Sequence, residues 1–274
     1  MITIVFGKPG CGKTAFLTAN AAQYLNGSAM DGELYDGCCE EVSKLNAEGF
    51  RFELPKHSPV YSNYPITVQN GANSYVGSYY VDGFHLGFEN SDVEVFCVLP
   101  GSKIFLAEAQ RYYNSRKSKD LPDWVSRFYE EHRHFGLDIM LDVQRPGLID
   151  VNIRELAERF VEIEQIVQRR DKNGYVSGTE FYCKVFEDWK FVDRYLNGSA
   201  DNFEKKIYSF DFDVFEYYQS TSYYRNFLPS DGFDYIEHFA LEDVEKDVER
   251  AKLMYRQTPP TGFYPEGKGG RKCN

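Results

Sequence analysis

The sequence predicts an α/β protein with a mainly parallel central sheet, on three observations. Ile2-Thr3-Ile4-Val5-Phe6 is a short apolar, β-branched run that stops at Gly7. A glycine-rich turn and a helical run follow it directly. Strand-like and helix-like segments then alternate through the first half of the chain, the pattern of a parallel sheet with its ligand at the carboxyl ends of the strands.

The 274 residues suffice for one large α/β domain, or one domain with an appendage. Apolar residues make up 42% and charged residues 27%, which excludes wholesale disorder. Aromatics at 16% supply a sizeable core. The net charge of -11 excludes a protein that grips nucleic acid over its whole surface, so any DNA contact is local, at a pore or a few loops. No stretch approaches the ~18 apolar residues of a membrane span, and Met1 to Phe6 is too short for a signal peptide. Cys11, Cys38, Cys39, Cys97, Cys183 and Cys273 show no C-x-x-C spacing. They read as free thiols of a reducing cytoplasm rather than a zinc site or a disulfide framework.

The first turn is Gly7-Lys8-Pro9-Gly10-Cys11-Gly12-Lys13-Thr14, and a helix follows from Ala15 to about Leu25. This is G-x-x-x-x-G-K-[ST] between a strand and a helix, the context the motif requires. Gly7, Gly10 and Gly12 let the backbone wrap tightly and turn its N–H groups inward into an anion-binding concavity. The helix that begins near Lys13 adds its positive dipole end. Lys13 can reach the β- and γ-phosphates, and Thr14 offers a hydroxyl to Mg²⁺. Residues 7–15, Ala15 included, are thus the expected nucleotide site, with ATP and Mg²⁺ as cofactors. Cys11 lies among phosphate-facing amides that could favour a thiolate, although a small spacer in the loop is the preferred account of it.

Residues 28–60 read as an insert, a loop with a helix from Glu40 to Asn46. Pro59 to Ile66 is a strand, and Tyr79 to Leu86 reads as a hairpin around Asp82-Gly83. Lys103 to Ala107 is a short apolar strand after Pro100-Gly101. Pro122 marks the start of a helix that reaches His134 and stops at Gly136. Leu137 to Val143 is the next strand and Asp150 to Glu158 a short helix. Phe160 to Gln168 and Tyr175 to Phe186 alternate as strands around Asp171-Lys172-Asn173-Gly174, a hairpin within 159–187. We expect one P-loop domain over 1–228. Beyond it, 229–274 carries an acidic helix, Glu237 to Tyr255, and a flexible glycine- and lysine-rich tail.

A P-loop hydrolase needs a second strand end, where an Asp steadies the metal and a neighbouring Glu polarises the attacking water. Ile104-Phe105-Leu106-Ala107-Glu108 is the best candidate. Glu108 lies where the catalytic Glu belongs, or is a solvent-facing helix-start residue. Ala107 occupies the Asp position. Asp142, near the end of the following strand, is the candidate substitute, or a structural hydrogen-bonding partner. Gln144 lies where a polar residue would sense the γ-phosphate, or caps the turn before Pro146-Gly147. In His132-Arg133-His134 the two histidines, at i and i+2, do not share a helix face, which argues against chelation. Arg133, with Arg111, Arg116 and Arg154, is a candidate to enter a neighbouring subunit's site, against the alternative of a surface salt bridge.

Gly7 to Thr14, Tyr61-Ser62-Asn63-Tyr64-Pro65-Ile66, Phe105 to Gln110 with Arg116, and above all His132 to Ile139 through Gln144 resemble the zonula-occludens-toxin family, the filamentous-phage morphogenesis ATPases. Asp150 to Arg154 and Phe215 to Ser220 continue the similarity, which covers roughly residues 1 to 225. The resemblance implies a RecA-like additional-strand core related to FtsK/HerA-type translocases. It implies ATP-driven assembly and extrusion of single-stranded DNA phage through the host inner membrane, by a homo-oligomeric ring such as a hexamer. The implied partners are phage coat or DNA-packaging proteins and single-stranded phage DNA. Carried over, Lys13 and Thr14 bind nucleotide and metal, Glu108 activates water and Gln144 senses phosphate. Two departures stand out. The usual Asp-Glu pair is Ala107-Glu108, which leaves a nucleotide-gated scaffold with weak hydrolysis as the alternative function. Family members commonly continue into a transmembrane helix. The expectation here is a cytoplasmic piece, peripheral at the inner membrane, that is either truncated or docked on a separate membrane partner. A P-loop kinase is a third reading, disfavoured because no arginine-rich lid is evident.

Overall fold

A computed structural model of the chain describes residues 1–25, 101–198 and 202–217, together with 40, 43, 44, 47, 60–64, 66–69, 75–81, 83, 86–90, 93–96 and 98. The chain opens with β1 (Ile2–Phe6) and α1 (Lys13–Leu25). Six short strands follow: β2 (Val60–Ser62), β3 (Thr67–Gln69), β4 (Tyr75–Gly77), β5 (Tyr79–Tyr80), β6 (Gly87–Asn90) and β7 (Val93–Phe96). Then come β8 (Lys103–Leu106), α2 (Asp123–Glu131), β9 (Asp138–Val143), α3 (Val151–Leu156), β10 (Arg159–Arg170), β11 (Val176–Phe186), α4 (Trp189–Leu196) and β12 (Glu204–Phe210).

Eight strands form the main sheet in the order β12-β11-β10-β1-β9-β8-β2-β5. The five pairings from β10 through β5 are parallel, and β10-β11 and β11-β12 are antiparallel. β9 stands between the phosphate-loop strand β1 and β8, the added strand of an additional-strand P-loop core. β1 is apolar throughout because it lies at the centre of this sheet with both faces covered. Ile2, Ile4 and Phe6 enter one core with Trp124, Val125, Phe128 and Tyr129 of α2 and Ile153 of α3. Val5 points to the other face, onto Ala15, Leu17 and Ala19 of α1.

The strand from Pro59 is shorter than expected, covering Val60–Ser62. The expected hairpin over Tyr79 to Leu86 is corrected: Tyr79–Tyr80 pairs in parallel with β2, and Val81 N–H donates to Ser62 O. The physical reason lies at Gly83. Gly83 does lie in a turn, but a Cβ there would stand 2.5 Å from the Tyr112 ring, so the glycine is needed for that close approach, and the strand before it pairs in parallel with β2. The ribbons β3-β4 and β6-β7, the helix α4 and the edge strand β12 were not expected from the sequence. Asp171 does organise the long hairpin's turn, accepting from the backbone N–H groups of Asn173 and Tyr175. Within the insert, Glu40, Ser43, Lys44 and Ala47 are helical; the rest of the Glu40–Asn46 helix, and the C-terminal helix and tail, lie outside the described residues. Among the described residues no helix is long and apolar enough to cross a membrane.

Candidate active site

The phosphate loop closes the gap between the carboxyl end of β1 and α1. Gly7, Gly10 and Gly12 all have positive φ, at 148°, 77° and 95°. At Gly7 a Cβ would stand 2.8 Å from Cys11 Sγ and 3.0 Å from Ile163 O, so the first glycine is sterically required. Cys11 N–H donates to Lys8 O, and Phe16 N–H donates to Gly12 O as the helix begins. Lys8, Pro9 and Gly10 are exposed, and Lys13 is buried. The Lys13 ammonium donates to Gly7 O and Lys8 O, each at 3.2 Å, so it lies across the mouth of its own loop. Cys11 is half-buried, and that burial pushes its thiol up despite the neighbouring Lys13, which fits the spacer rather than the thiolate.

A carboxylate from the adjacent strand stands beside the strand end where Ala107 leaves none. Leu106 of β8 pairs with Leu141 of β9, so Asp142 stands level with Ala107. Residues level on parallel strands point to the same face. Asp142 is fully buried; one carboxylate oxygen accepts from Thr14 Oγ1 at 2.8 Å and the other from Glu108 N–H at 2.8 Å. Burial pushes its carboxyl up to about 6, against the pull of those two hydrogen bonds. A hydroxyl and a carboxylate that already touch form the hard-oxygen donor set that Mg²⁺ prefers, so Thr14 and Asp142 fit that ion.

Glu108 is the one described non-glycine residue at positive φ, with φ 52° and ψ 42°. Such a backbone costs on the order of 1–3 kcal/mol and persists only where its surroundings impose it. Three contacts do so here. Asp142 takes the Glu108 N–H. Asn63, which follows β2, donates its amide to Ala107 O at 2.9 Å and accepts from Ala107 N–H at 2.8 Å. Gln110 Nε2 donates to the Glu108 carboxylate. The sequence reading assigned no role to Asn63 or Gln110. Their only sequence signal was membership of the motifs around Tyr61–Ile66 and Phe105–Gln110.

Gln144 is exposed one residue past the Phe6–Val143 pair, so it stands beside the first residue of the loop. Gly7 to Ala15, Glu108, Asp142 and Gln144 are therefore gathered at the carboxyl end of β1, β8 and β9. Arg133 is not among them. It lies just before the amino end of β9, where its guanidinium makes a two-point pair with Glu158, with Nη2–Oε2 at 2.8 Å and Nε–Oε1 at 3.3 Å. Arg154 lies 4.4 Å over the Trp189 ring and donates to Ile149 O. His132 is buried with Nδ1 2.6 Å from Tyr129 O, whereas His134 is exposed, so the two rings face different surroundings.

The family model "Zonular occludens toxin (Zot)" matches residues 85–224. Among solved structures, the N-terminal domain of zonular occludens toxin from Neisseria meningitidis is similar at 18% identity, with a TM-score of 0.44 over 80% of this chain and 98% of that one. The genome packaging NTPase B204 of Sulfolobus turreted icosahedral virus 2, in complex with ATP-gammaS, is similar at 9% identity and a TM-score of 0.36, over 76% of this chain and 96% of that one. A search of curated proteins returns no match.

Proposed function

The chain belongs to the zonular occludens toxin family, and from that premise we propose that it is an Mg²⁺-dependent ATPase that drives assembly and extrusion of filamentous single-stranded DNA phage at the host inner membrane. The observation that carries the reading is the contact between the phosphate loop and the end of β8, made by Asp142 between Thr14 and Glu108.

The loop N–H groups of residues 7–15 and the dipole of α1 hold the phosphate chain. Lys13 leaves the loop carbonyls for the β- and γ-phosphate oxygens. Thr14 and Asp142 would hold Mg²⁺, which when bound would neutralise charge developing on the phosphates. Glu108 takes the proton of the attacking water, its carboxylate having left Gln110. Gln144 donates to the γ-phosphate and reports its loss. Such a cycle moves subunits of a homo-oligomeric ring against one another, with an arginine such as Arg133 entering from a neighbour after release from Glu158. Coat or packaging proteins and single-stranded phage DNA are the cargo, and the working location is the cytoplasmic face of the inner membrane. The Gln110–Glu108 contact also favours a second reading, a nucleotide-gated scaffold in which that contact persists and hydrolysis is slow.

ATP hydrolysis measured against protein concentration tests the motor. Specific activity should rise as rings form, and Lys13→Ala should abolish it together with nucleotide binding. Specific activity independent of concentration over the range where rings form would remove the shared site. Mg²⁺-dependent nucleotide binding with negligible turnover in assembled rings would select the scaffold.

A further inference from the structure

β10 pairs with β1 as far as Phe6–Glu162 and then runs on to Arg170, on the order of 25 Å beyond the end of β1 at ~3.3 Å per residue. Its extension lines the phosphate loop on the side away from β9: a Cβ at Gly12 would stand 3.4 Å from three atoms of Ile166. On the α1 face of this extension the aromatic rings form a continuous line. Phe16 of α1 meets Phe181 at 5.2 Å, Phe181 meets Phe210 at 5.8 Å, Phe210 meets Phe212 at 5.6 Å, and Phe212 meets Tyr217 at 5.1 Å. The line starts in the core one turn into α1 and ends at half-buried Phe212 and Tyr217, where the turn Val214–Glu216 packs on α1.

The segment carrying Phe212 is anchored. Thr179 Oγ1 donates to Phe212 O at 3.0 Å and lies 3.3 Å from Val214 N, as acceptor. Gln168 Nε2 donates to both carboxylate oxygens of Asp213 at 3.1 Å. Gln168 and Thr179 pair across β10 and β11, and Thr179 pairs with Phe210 of β12, so these residues share one level of the sheet, past Ile166.

A nucleotide is directional. With its γ-phosphate turned toward Asp142, Glu108 and Gln144 on the β8-β9 side, its nucleoside leaves the loop on the opposite side, over β10. We propose that Ile166, Phe212 and Tyr217 form the wall that takes the base, and that they hold a purine by stacking and packing rather than by reading its edge. This deepens the nucleotide-binding reading above and rests on it. Among the described residues at this level, the amide of Gln168 and the carboxylate of Asp213 are bonded to each other, and the Thr179 hydroxyl is bonded to the backbone of Phe212 and Val214. The wall therefore presents apolar and π surface, which accepts adenine and guanine alike and a smaller pyrimidine less well.

The test is a set of dissociation constants for ATP, GTP, CTP and tripolyphosphate, each with Mg²⁺, on the full chain and on Phe212→Leu, Tyr217→Leu and Lys13→Ala. Leucine keeps apolar bulk and removes the π-face. The wild type should bind ATP and GTP within a few-fold of each other and both more tightly than CTP or tripolyphosphate. Each leucine variant should lose about tenfold for ATP and GTP, with tripolyphosphate affinity unchanged, which also shows the loop is folded. Unaltered ATP affinity in both leucine variants, beside loss of binding in Lys13→Ala, would overturn the wall and leave the phosphate site standing. More than about a hundredfold preference for ATP over GTP would overturn stacking as the means of recognition. A wild type that binds neither ATP nor tripolyphosphate would overturn the function proposed above together with the wall.

Discussion

Asp138 opens β9 and Asp142 lies four residues further along the same strand and on the same face, yet the two carboxylates sit in opposite electrostatic settings. Although its partial burial works the other way, Asp138 is held below the usual carboxylate range by the buried Lys103 ammonium and the amino terminus of Met1, both bonded to it. Nearby, burial raises Glu158 more than any one partner lowers it, yet Arg133, the amino terminus and His132 together outweigh that and hold it below its usual value. Among the described residues Asp142 has no cation bonded to it, and burial holds it up at about 6. The amino end of the strands is thus a set of satisfied charges that hold the fold. The carboxyl end keeps a buried carboxylate and a lysine folded onto carbonyls, both of which the proposed cation and phosphate would engage, beside a strained Glu108 backbone. On the proposed function, stability is concentrated at one end of the sheet and chemistry at the other.

The largest expected effect probes the chemical end. Glu108→Gln should lower ATP turnover by about 10²–10⁴-fold, with nucleotide affinity retained. Unchanged turnover in a steady-state assay would remove Glu108 from its role. The matching change at the structural end is Asp138→Ala. It leaves Lys103 buried and uncompensated, and should cost about 3–5 kcal/mol in denaturant unfolding without altering the affinity of the surviving folded protein for ATP. A variant that weakened ATP binding instead would dissolve the division between the two ends.

Asp142→Asn comes next. It should weaken Mg²⁺-dependent nucleotide binding by about 10–100-fold, read by titration with and without Mg²⁺, while the nucleotide-free protein keeps its melting temperature or gains. The smallest effect is the pH profile of that melting temperature. Between its unfolded value of 3.8 and its folded value of about 6, Asp142 binds more protons folded than unfolded. Its contribution to stability therefore falls as pH rises through that window. Asp138 and Glu158 are lowered, so their stabilising contribution is lost as pH falls through and below the unfolded values of 3.8 and 4.5. Asp142→Asn should remove the first slope and leave the second. Loss of both would mean that the two ends titrate as one unit.

Much of this division can be traced to local signals. The phosphate loop, β1 and α1 are contiguous, so steric rules for glycine and the switch in hydrophobic period identify them directly. The β10-β11 hairpin was equally plain, because Asp171 to Gly174 carries its own turn chemistry. The hairpin expected at Asp82-Gly83 was misread for the converse reason: Gly83 does lie in a turn, but the strand before it pairs in parallel with β2, a partner that no local signal identifies. The strand β12 gave little warning, since Lys205, Lys206 and Ile207 are all exposed and lack a buried alternation.

The identity of the loop, the glutamate that ends β8 and the arginine-histidine turn before β9 were legible from residues next to one another. The carboxylate that stands by Thr14 was only half legible: Asp142 was a candidate from its place near the end of the next strand, beside the alternative of a structural hydrogen-bonding partner. Ala107 marks an absence, and only the parallel register of β8 and β9 brings Asp142 level with it, turned to the same face. The positions of Arg133, paired at the far end of the strands, and of Phe212 and Tyr217, past the loop on the α1 side, were likewise decided by tertiary structure. Short-range sterics and hydrogen bonding are written in neighbouring residues, whereas strand register and the alignment of distant side chains arise only when the whole sheet closes on its two cores.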